Sequence, residues 1–478
     1  MVFGDKLKTM KKKIIILASI LLLGFLIRIY RIAVLPMYGD ELTMVYDTYS
    51  IIKTGKDSTG QPFPITFKMG AGRPGGYIYA SVPFVYLFGP TEWGIRSLSL
   101  LSSLGIIVLM YFLGKKLFNE KVGFIASFVA SISLWDIYLA RGGFEAHFAL
   151  FLALFGIVMF LYKKYIPWAI SWGLAIFTYP TFKLTLPLMF LILLWFAGVK
   201  NLIKSKLFIV SFVVLALFGG LAVRETLMGL SEQRFLSINV FSDSSVQQQI
   251  VQLVNEERGF STLPEFLKPV FYNKPFQYFR TLLDNYTENL SIKFLYIRGD
   301  GNPRHNPGEW GMLYLVELPL LFIAIVGLWK KEKKTLILIV AWILITPLAT
   351  MLINDTHGLR DDLMLPPFIL LASYALYILP KKLFILSIGL FLVQLIFVLQ
   401  RVYFLAPNKF ASFWSGDAKA VSLATINNPN KNNTIVLSTK IDNIEYAYPV
   451  YAKIDPNLVI SQYGKFPKIY GNVIIVDK

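Results

Sequence analysis

Long apolar runs alternate with short polar or basic segments from Ile14 almost to Gln400. A helix needs about 20 apolar residues to cross the hydrocarbon core of a bilayer, and most of these runs approach that length. We count about eleven such runs, which predicts an all-α polytopic membrane protein. In chain order the predicted spans are 14–35, 96–113, 122–135, 144–161, 166–179, 184–199, 207–223, 312–329, 336–353, 363–379 and 383–399.

Lysine clusters mark one end of many predicted spans. They occur at 11–13, before the first span, and at 115–116, 163–164, 330–334 and 381–382, between later spans. If each span crosses once, all of these clusters fall on the same side, which the positive-inside rule makes cytoplasmic. The first run is too long for the core of a cleavable signal peptide. We therefore expect a multi-pass plasma or inner membrane protein with its N-terminus cytoplasmic and its C-terminus outside.

The longer polar segments predict two outer loops and a C-terminal appendage. The loops are expected at 36–95, with helices lying on the membrane surface, and at 224–308. Residues 1–400 then form one membrane module, and residues 401–478 form a small extracytoplasmic α/β domain. Short β-type runs in that domain are 434–437, 458–460 and 473–476. Because about 75 residues give only a marginal core, we expect this domain to dock on the membrane part.

Composition supports this class of protein. The chain is 55% hydrophobic and only 16% charged, whereas soluble domains carry roughly 25% charged residues. The net charge of +18 comes largely from lysines and arginines between apolar runs, so we expect no nucleic-acid partner. The absence of cysteine excludes disulfides, thiolate catalysis and metal sites with cysteine ligands.

Acidic, basic and histidine side chains gather at the predicted outer ends of the spans. Charged groups this close to apolar spans are costly and usually functional. Snorkelling toward lipid head groups explains any one cation, but not the convergence of acids, bases and all three histidines. We therefore predict a shared site on the outer face. The candidates are Arg28, Arg31, Asp40, Glu41, Asp136, Arg141, Glu145, His147, Lys183, Arg304, His305, Glu309, Asp355, His357, Arg360, Asp361 and Asp362.

Two of these acids have structural alternatives. Asp40 suits the N-cap of a helix that begins at Leu42. Glu145 suits an ion pair with Arg141, one helical turn away. The sequence leaves both alternatives open beside the functional ones.

A carboxylate near several cations suits group transfer from an anionic phosphate donor. The cations hold the phosphate, and the carboxylate acts as general base on an acceptor hydroxyl or amine. The glycine-rich stretch 70–76 lacks the Gly-Lys-Ser/Thr ending of a P-loop, so no nucleotide loop is predicted. Because nucleotide sugars are cytoplasmic, a lipid-linked donor fits a site on the outer face better.

Several short motifs occur in an order that is typical of one superfamily. They are Tyr38-Gly39-Asp40-Glu41, Arg73-Pro74 before Tyr77-Ile78-Tyr79, the stretch Phe88–Arg96, the stretch Ala140–Glu145, Thr178-Tyr179-Pro180, and the stretch from His357 through Arg360 to Pro366. With these motifs the chain resembles the GT-C glycosyltransferases, above all the protein O-mannosyltransferases and aminoarabinose transferases. The resemblance is strong over residues 14–200, weaker toward residue 400 and absent from the appendage.

This resemblance implies a polyprenyl-phosphate sugar donor and inversion at the anomeric carbon of the sugar. It makes Asp40 the catalytic base, with Glu41 a neighbouring acid of open role and Glu145 a second acid that positions donor or acceptor. It assigns Arg73 to the donor phosphate, which suits a bidentate guanidinium. Further contacts to the donor phosphate are expected from Arg141, Lys183, Arg304, His305, His357 and Arg360. The expected partners are this donor, an acceptor that is a protein, lipid or glycan, and membrane lipids.

The sequence departs from some relatives at a metal ligand. Those relatives bind a metal through a glutamate just before the basic-proline pair, and Gly72 holds that place here. We therefore assign no cofactor and no metal ligand. A divalent ion bound by Glu41 with one of the histidines is an open alternative.

Two other functions stay open from the sequence. A transporter or flippase of lipid-linked sugars would place its charged site near mid-membrane, between repeated halves. We find no internal repeat, but Glu317 lies within the eighth predicted span and has no role in the proposed transfer. A non-catalytic scaffold would instead use the outer loop and the appendage to bind partners.

Overall fold

Helices account for most of this structure, a computed structural model that describes residues 2–229, 239–353, 356–430 and 433–477. Asp355, named among the candidates above, lies outside the described residues. Helices up to residue 229 are Val2–Ile29, Gly39–Thr54, Met69–Gly72, Gly76–Phe88, Glu92–Leu117, Glu120–Ile132, Leu134–Leu139, Glu145–Leu161, Tyr165–Ile176, Phe182–Ala197, Val199–Leu202 and Lys206–Leu227.

The helices beyond residue 238 follow the same pattern of long apolar and short connecting elements. They are Ser244–Phe260, Lys268–Phe271, Lys274–Asn289, Glu317–Lys331, Lys333–Ile345, Pro347–Thr350, Leu365–Ile378, Lys381–Gln400, Ala406–Lys409, Gly416–Ile426, Ile444–Tyr451 and Pro456–Ser461. Short π-helical turns cover Lys293–Ile297 and Arg401–Leu405, and 3-10 turns cover Asp362–Met364 and Ala411–Trp414. Each apolar run predicted from the sequence overlaps at least one helix.

The structure supports the predicted number of membrane crossings only in part. Among the described residues, four helical stretches are long and apolar enough to cross a membrane: Glu92–Leu117, Lys206–Leu227, Lys333–Thr350 and Lys381–Lys409. Other apolar helices, such as Glu145–Leu161 and Phe182–Ala197, have only 10–17 residues. The mostly helical membrane-protein fold is therefore confirmed, whereas the count of eleven spans is not.

Charge placement and capping explain the ends of the long helix Glu92–Leu117. The hydroxyl oxygen of Thr91 accepts the N–H of Gly94 at 3.2 Å and so satisfies a donor of the first turn. Lys115 and Lys116 lie in the last turn, where positive charge complements the helix dipole. The helix therefore begins at a polar cap and ends at a basic cluster.

The lysines share one end of the helical bundle. Glu120 forms ion pairs with Lys13 at 2.7 Å and with Lys115 at 3.6 Å. Helix Val2–Ile29 runs away from this end, and helix Glu92–Leu117 runs back toward it. The chain that joins these two helices therefore lies at the opposite end of the bundle, and it contains Asp40 and Glu41.

The C-terminal domain docks on helix Gly39–Thr54, as expected from its small size. A shared apolar core contains Leu42, Val45 and Ile51 from that helix and Ile444, Ala447, Val450 and Ile475 from the C-terminal domain. At its edge, the hydroxyl of Tyr46 donates to the carbonyl of Ile454 at 2.8 Å. Lys419 and Glu92 form an ion pair at 2.7 Å.

The strands are few and short. Thr66–Phe67 (β1) and Arg73–Pro74 (β2) form an antiparallel pair. In the C-terminal domain, Ile435–Ser438 (β3), Lys468–Tyr470 (β4) and Val473–Val476 (β5) form a sheet of order β3-β5-β4, in which β3 and β5 run parallel.

One predicted strand is wrong. Residues 458–460 lie in helix Pro456–Ser461, and strand β4 was not predicted. The reason is local: the side chain of Asp455 accepts the N–H of Asn457, and a proline occupies the first turn, which together start a helix. The three apolar residues 458–460 therefore lie in a helix despite their β propensity.

Candidate active site

Asp40 lies in the first turn of helix Gly39–Thr54. Tyr38, the residue before this helix, is extended with φ −84° and ψ 172°. Its N–H donates to Oε2 of Glu41 at 3.4 Å, so Glu41 is the acid that reaches back to cap the helix. The alternative of Asp40 as N-cap to a helix beginning at Leu42 is therefore wrong, and the Asp40 side chain is 33% exposed.

Arg73 reaches Asp40 from the small sheet, in which it pairs with Phe67. Its Nη2 donates to Oδ1 of Asp40 at 2.6 Å, and its Nη1 donates to Oγ1 of Thr43 at 2.9 Å. Its Nε lies 2.8 Å from Oε1 of Glu145, the first residue of helix Glu145–Leu161. A single guanidinium therefore holds two acids that are far apart in the sequence.

The Arg73 side chain is only 3% exposed. Burial alone would lower the pKa of its guanidinium, but Asp40 and Glu145 raise that pKa above its ordinary value. The group therefore stays charged, and its bond to Asp40 is a charge-assisted one that fixes the carboxylate in place.

A cavity of about 400 Å³ opens beside Asp40. Its charged and titratable lining consists of Asp40, Arg73, Glu145, Lys183, Arg304, His305, His357 and Arg360. Its apolar lining includes Leu184, Ala349, Leu352, Ile353 and Leu359. Of the residues assigned to catalysis or to the donor phosphate, all except Glu41 and Arg141 therefore meet around one partly apolar space. Other candidates for the shared site do not line it: Arg28, Arg31, Asp136, His147, Glu309, Asp361 and Asp362.

The segment that leads into the C-terminal domain contacts two residues of the cavity lining, Tyr38 and Arg304, from behind. Nε of Arg304 donates to the carbonyl of Phe413 at 2.7 Å, and the Arg304 guanidinium lies 4.9 Å from the centre of the Tyr38 ring. Trp414 packs edge-on against Tyr38 at 5.3 Å. Neither aromatic was predicted as part of the site, because Tyr and Trp near span ends are common in any membrane protein.

Glu41 does not line the cavity. Its buried carboxylate receives two hydrogen bonds of 2.7 Å from Arg96 and one of 2.7 Å from the N–H of Gly143. Successive residues of a helix point about 100° apart, so Asp40 faces the cavity while Glu41 faces the interior. The position of Glu41, whose role the sequence left open beside the catalytic Asp40, fits a structural role and does not bring it to a histidine.

Arg141 also lies outside the cavity. Its Nη1 donates to the carbonyls of Arg28 and Tyr30, at 3.0 and 2.7 Å, and its Nη2 donates to the carbonyl of Arg31 at 3.1 Å. These carbonyls lie at the end of helix Val2–Ile29, where the last carbonyls have no partner within the helix. Arg141 therefore caps the first helix, and the predicted phosphate contact does not match its position.

His147 belongs to a separate buried network. Its Nε2 lies 2.9 Å from Oδ1 of Asp136, and Nη2 of Arg28 donates to Oδ2 of Asp136 at 2.6 Å. Ser103 donates to the same carboxylate. This network does not line the cavity, so the prediction that all three histidines share one site is wrong for His147.

A cluster of two histidines and an acid joins two loops beside the cavity. Asp300, His305 and His357 each offer a ligand atom, and these atoms lie within 4.8 Å of one another. Nδ1 of His305 lies 3.0 Å from Oδ2 of Asp300. Burial alone would raise the pKa of Asp300, but the facing His305 lowers it to about 2. Asp300 was missed because a single aspartate in a glycine-containing loop has no spacing signal in the sequence.

One family model matches part of the chain, and solved structures match its fold. Residues 74–221 match the family described as dolichyl-phosphate-mannose-protein mannosyltransferase. A comparison with curated proteins gives no significant match. The matched range runs from before helix Gly76–Phe88 into helix Lys206–Leu227, and it includes Glu145 and Lys183 of the cavity lining.

Two solved structures share the fold over most of the chain. The archaeal oligosaccharyltransferase AglB from Archaeoglobus fulgidus, in complex with an inhibitory peptide and a dolichol-phosphate, matches with a TM-score of 0.53 at 14% identity. The match covers 91% of this chain and 63% of AglB, so the chain spans less than two thirds of that relative. ArnT from Cupriavidus metallidurans, bound to undecaprenyl phosphate, matches with a TM-score of 0.51 at 13% identity over 92% of this chain and 84% of ArnT.

These matches define a membrane protein with the fold of the GT-C glycosyltransferases. The resemblance that the short motifs indicated, to the superfamily of protein O-mannosyltransferases and aminoarabinose transferases, is thereby confirmed.

Proposed function

We propose that this protein transfers a sugar from a polyprenyl-phosphate-linked donor to an acceptor on the outer face of the membrane, with inversion at the anomeric carbon. One observation carries this proposal: a partly exposed carboxylate, Asp40, shares a cavity with the cations Lys183, Arg304 and Arg360. Such a site can bind an anionic leaving group and accept a proton in the same step.

In the proposed step, the acceptor oxygen or nitrogen attacks the anomeric carbon and gives its proton to Asp40. The bond between that carbon and the phosphate oxygen breaks, and its electron pair leaves with the polyprenyl phosphate. Lys183, Arg304 and Arg360 hold the phosphate and stabilise its charge as the bond breaks. Attack from the face opposite the phosphate inverts the configuration of the sugar.

Arg73 has a different part in this scheme from the one its motif implies. Its Nη2 and Nη1 donate to Asp40 and Thr43, and its Nε lies 2.8 Å from Oε1 of Glu145. We assign it to positioning Asp40, because a contact with the donor phosphate would compete with these two carboxylates. Glu145 contacts the same guanidinium and lines the cavity.

The apolar side of the cavity supports a lipid-linked donor. Leu184, Leu352 and Ile353 line the same cavity as Lys183 and Arg360. A polyprenyl chain beside its phosphate needs this combination of apolar and cationic groups, whereas a soluble phosphate donor does not. The position of the cavity, at the end of the bundle opposite the lysines, supports an extracytoplasmic site.

The cluster of Asp300, His305 and His357 suits a divalent cation. Two imidazoles and one carboxylate form a typical zinc donor set, with a fourth position for water or substrate. We propose this cluster, and not Glu41, as the place where a divalent ion would bind. Metal analysis of the purified protein tests this: the wild type should carry about one equivalent of a divalent metal, which His357→Ala should lose. A metal content equal in both proteins would refute the site.

The transporter alternative loses its main support in the structure. Glu317 lies in the first turn of helix Glu317–Lys331 and accepts the N–H of Tyr314 at 3.3 Å, a capping arrangement that acids favour at helix starts. The decisive experiment incubates the purified protein in liposomes with a polyprenyl-phosphate sugar and an acceptor mixture. A transferase releases polyprenyl phosphate and labels an acceptor. A flippase moves the intact donor between leaflets without releasing the phosphate.

A further inference from the structure

Helices Ser244–Phe260 and Lys274–Asn289 and the connection between them expose several large apolar side chains. Phe260 is 89% and Phe266 is 77% exposed, and Phe279 is 62% exposed. Other exposed apolar residues of the same region are Val270, Phe271, Phe276 and Leu283. A surface of this kind in contact with water would be costly, so it indicates a contact with another apolar phase.

Helix Lys274–Asn289 arranges part of this surface as a stripe. Phe276, Phe279 and Leu283 are separated by three and four positions, so they lie on one face of the helix. The opposite face carries the buried residues Gln277 and Asn289 and packs on the protein. We call Phe276, Phe279 and Leu283 the aromatic stripe. One side of the helix is therefore packed on the protein, and the other presents the aromatic stripe.

The position of this helix along the membrane spans is set by two hydrogen bonds. The hydroxyl of Tyr286 donates to the carbonyl of Leu344 at 2.9 Å, and Nδ2 of Asn285 donates to the carbonyl of Ile353 at 3.2 Å. Leu344 belongs to the membrane-spanning stretch Lys333–Thr350 and is itself exposed. The C-terminal half of the helix therefore lies level with the last turns of a span.

The neighbouring span favours a lipid surface over a protein contact. Leu344, which accepts the hydroxyl of Tyr286, is an exposed apolar residue of the candidate span Lys333–Thr350, so the helix of the stripe adjoins a lipid-facing part of the bundle. Helices with one apolar and one polar face lie in the bilayer interface, where the apolar face enters the acyl region.

We propose that the aromatic stripe, with the neighbouring Phe260, Phe266 and Phe271, inserts into the outer-leaflet interface of the bilayer. The outer loop predicted at 224–308 as a polar segment is then partly a membrane-bound element. Asn285 connects it to Ile353, which lines the cavity. Insertion of the stripe therefore presents this apolar wall of the cavity to the bilayer.

The absence of native cysteine allows a clean test with single nitroxide labels. Phe279→Cys and Leu283→Cys are labelled in full-length protein reconstituted into liposomes that contain anionic lipid. Leu217→Cys, on an exposed face of the span Lys206–Leu227, serves as the lipid-facing reference. Gln248→Cys, an exposed polar position of the preceding helix, serves as the matched water-facing control. Collision rates with oxygen and with a water-soluble nickel complex report on which phase surrounds each label.

We expect the ratio of oxygen to nickel accessibility at residues 279 and 283 to exceed that at residue 248 several-fold and to approach that at residue 217. A ratio equal to that at residue 248 would show that the stripe faces water and would overturn the proposal. Labels shielded from both reagents would indicate a protein contact and would overturn it too. Both test positions are exposed, and a monodisperse elution profile confirms that each labelled protein is folded before measurement.

Discussion

Nη2 of Arg73 and Oδ1 of Asp40 are joined by a hydrogen bond of 2.6 Å, yet the two side chains differ sharply in exposure. Asp40 is 33% exposed and Arg73 only 3%. A substrate in the cavity therefore meets mainly the carboxylate, while the guanidinium acts from behind it. This asymmetry divides the pair into a reacting group and a positioning group, and the two should respond differently to substitution.

Replacing the Asp40 carboxylate should greatly slow sugar transfer without preventing the donor from binding. Asp40→Asn keeps the size of the side chain but removes its basicity, so we expect sugar transfer to fall about 10²–10⁴-fold. Binding of the polyprenyl-phosphate donor should persist, since Lys183, Arg304 and Arg360 are unchanged. Turnover of a labelled donor in liposomes measures the first quantity, and donor titration measures the second.

A surface acid provides the control for that experiment. Asp417 is exposed and lies outside the cavity, so Asp417→Asn should keep wild-type turnover. If Asp40→Asn also turns over at the wild-type rate, another group must accept the proton.

The positioning role of Arg73 predicts an effect on turnover more than on substrate affinity. Arg73→Lys keeps one charge but cannot hold Asp40, Thr43 and Glu145 at once. We expect kcat to drop about tenfold or more while KM for the donor changes little. Arg360→Lys is the matched comparison, because Arg360 is assigned to the phosphate and its replacement should raise KM for the donor. An Arg73→Lys variant whose defect lies only in KM would instead identify Arg73 as a phosphate ligand.

Glu41 should matter for stability, not for chemistry. Removing one partner of a buried ion pair typically costs about 3–5 kcal/mol, because the other charge is left without compensation. Glu41→Gln leaves Arg96 in that state, so we expect a markedly lower Tm in detergent and a reduced yield of folded protein. The folded fraction should keep a turnover much closer to wild type than Asp40→Asn does.

An exposed pair serves as the reference for this measurement. Glu265 and Lys268 form an ion pair at 2.6 Å in which the glutamate is largely exposed. Such pairs contribute about 0–1 kcal/mol, so Glu265→Gln should leave Tm nearly unchanged. An equal loss of Tm in both variants would contradict the structural reading of Glu41.

The sequence predicted the location of the site better than its internal contacts. Apolar runs of span length and lysine clusters limit where a polar residue can lie along the membrane normal, so the gathering of Asp40, Lys183, Arg304 and Arg360 at one end was predictable. Which neighbours touch depends on helix rotation and loop paths. Adjacent helical residues such as Asp40 and Glu41 point in different directions, but the pattern within a single turn does not show which of the two faces the cavity.

The errors in predicting Arg141 and Asp300 have the same physical cause. Arg141 was read as a phosphate ligand, but it satisfies carbonyls at the end of the first helix. A cation near a helix end can bind a phosphate or cap the last carbonyls of the helix, and the sequence alone does not distinguish these two roles. Asp300 is recognised as a candidate metal ligand only in the folded structure, where His357 from another loop lies close to it. Contacts between distant loops were thus the part of the site that sequence patterns left undetermined.

Buried Asp47 predicts that stability declines as pH rises. Its Oδ1 accepts the N–H and the hydroxyl of Ser58, at 2.9 and 2.5 Å. Burial, with a smaller contribution from the nearby Asp57, raises the pKa of Asp47 from 3.8 to about 7. As pH rises from 3.8 toward 7, the unfolded chain loses a proton that the folded chain keeps, so the free energy of unfolding falls. The effect at pH 8 is at most about 4 kcal/mol.

Asp47→Asn removes this titration while keeping an amide oxygen that can accept from Ser58. We expect the variant to have a higher Tm than wild type at pH 8, and the difference to shrink toward zero as pH falls below 3.8, where the wild-type carboxyl becomes protonated in the unfolded state as well. Thermal unfolding in detergent across this range measures it, with Asp417→Asn as the exposed control that should follow the wild-type curve. Parallel curves for wild type and Asp47→Asn at all pH values would show that Asp47 is ionised in the folded protein, and its burial would then have to be offset by a cation.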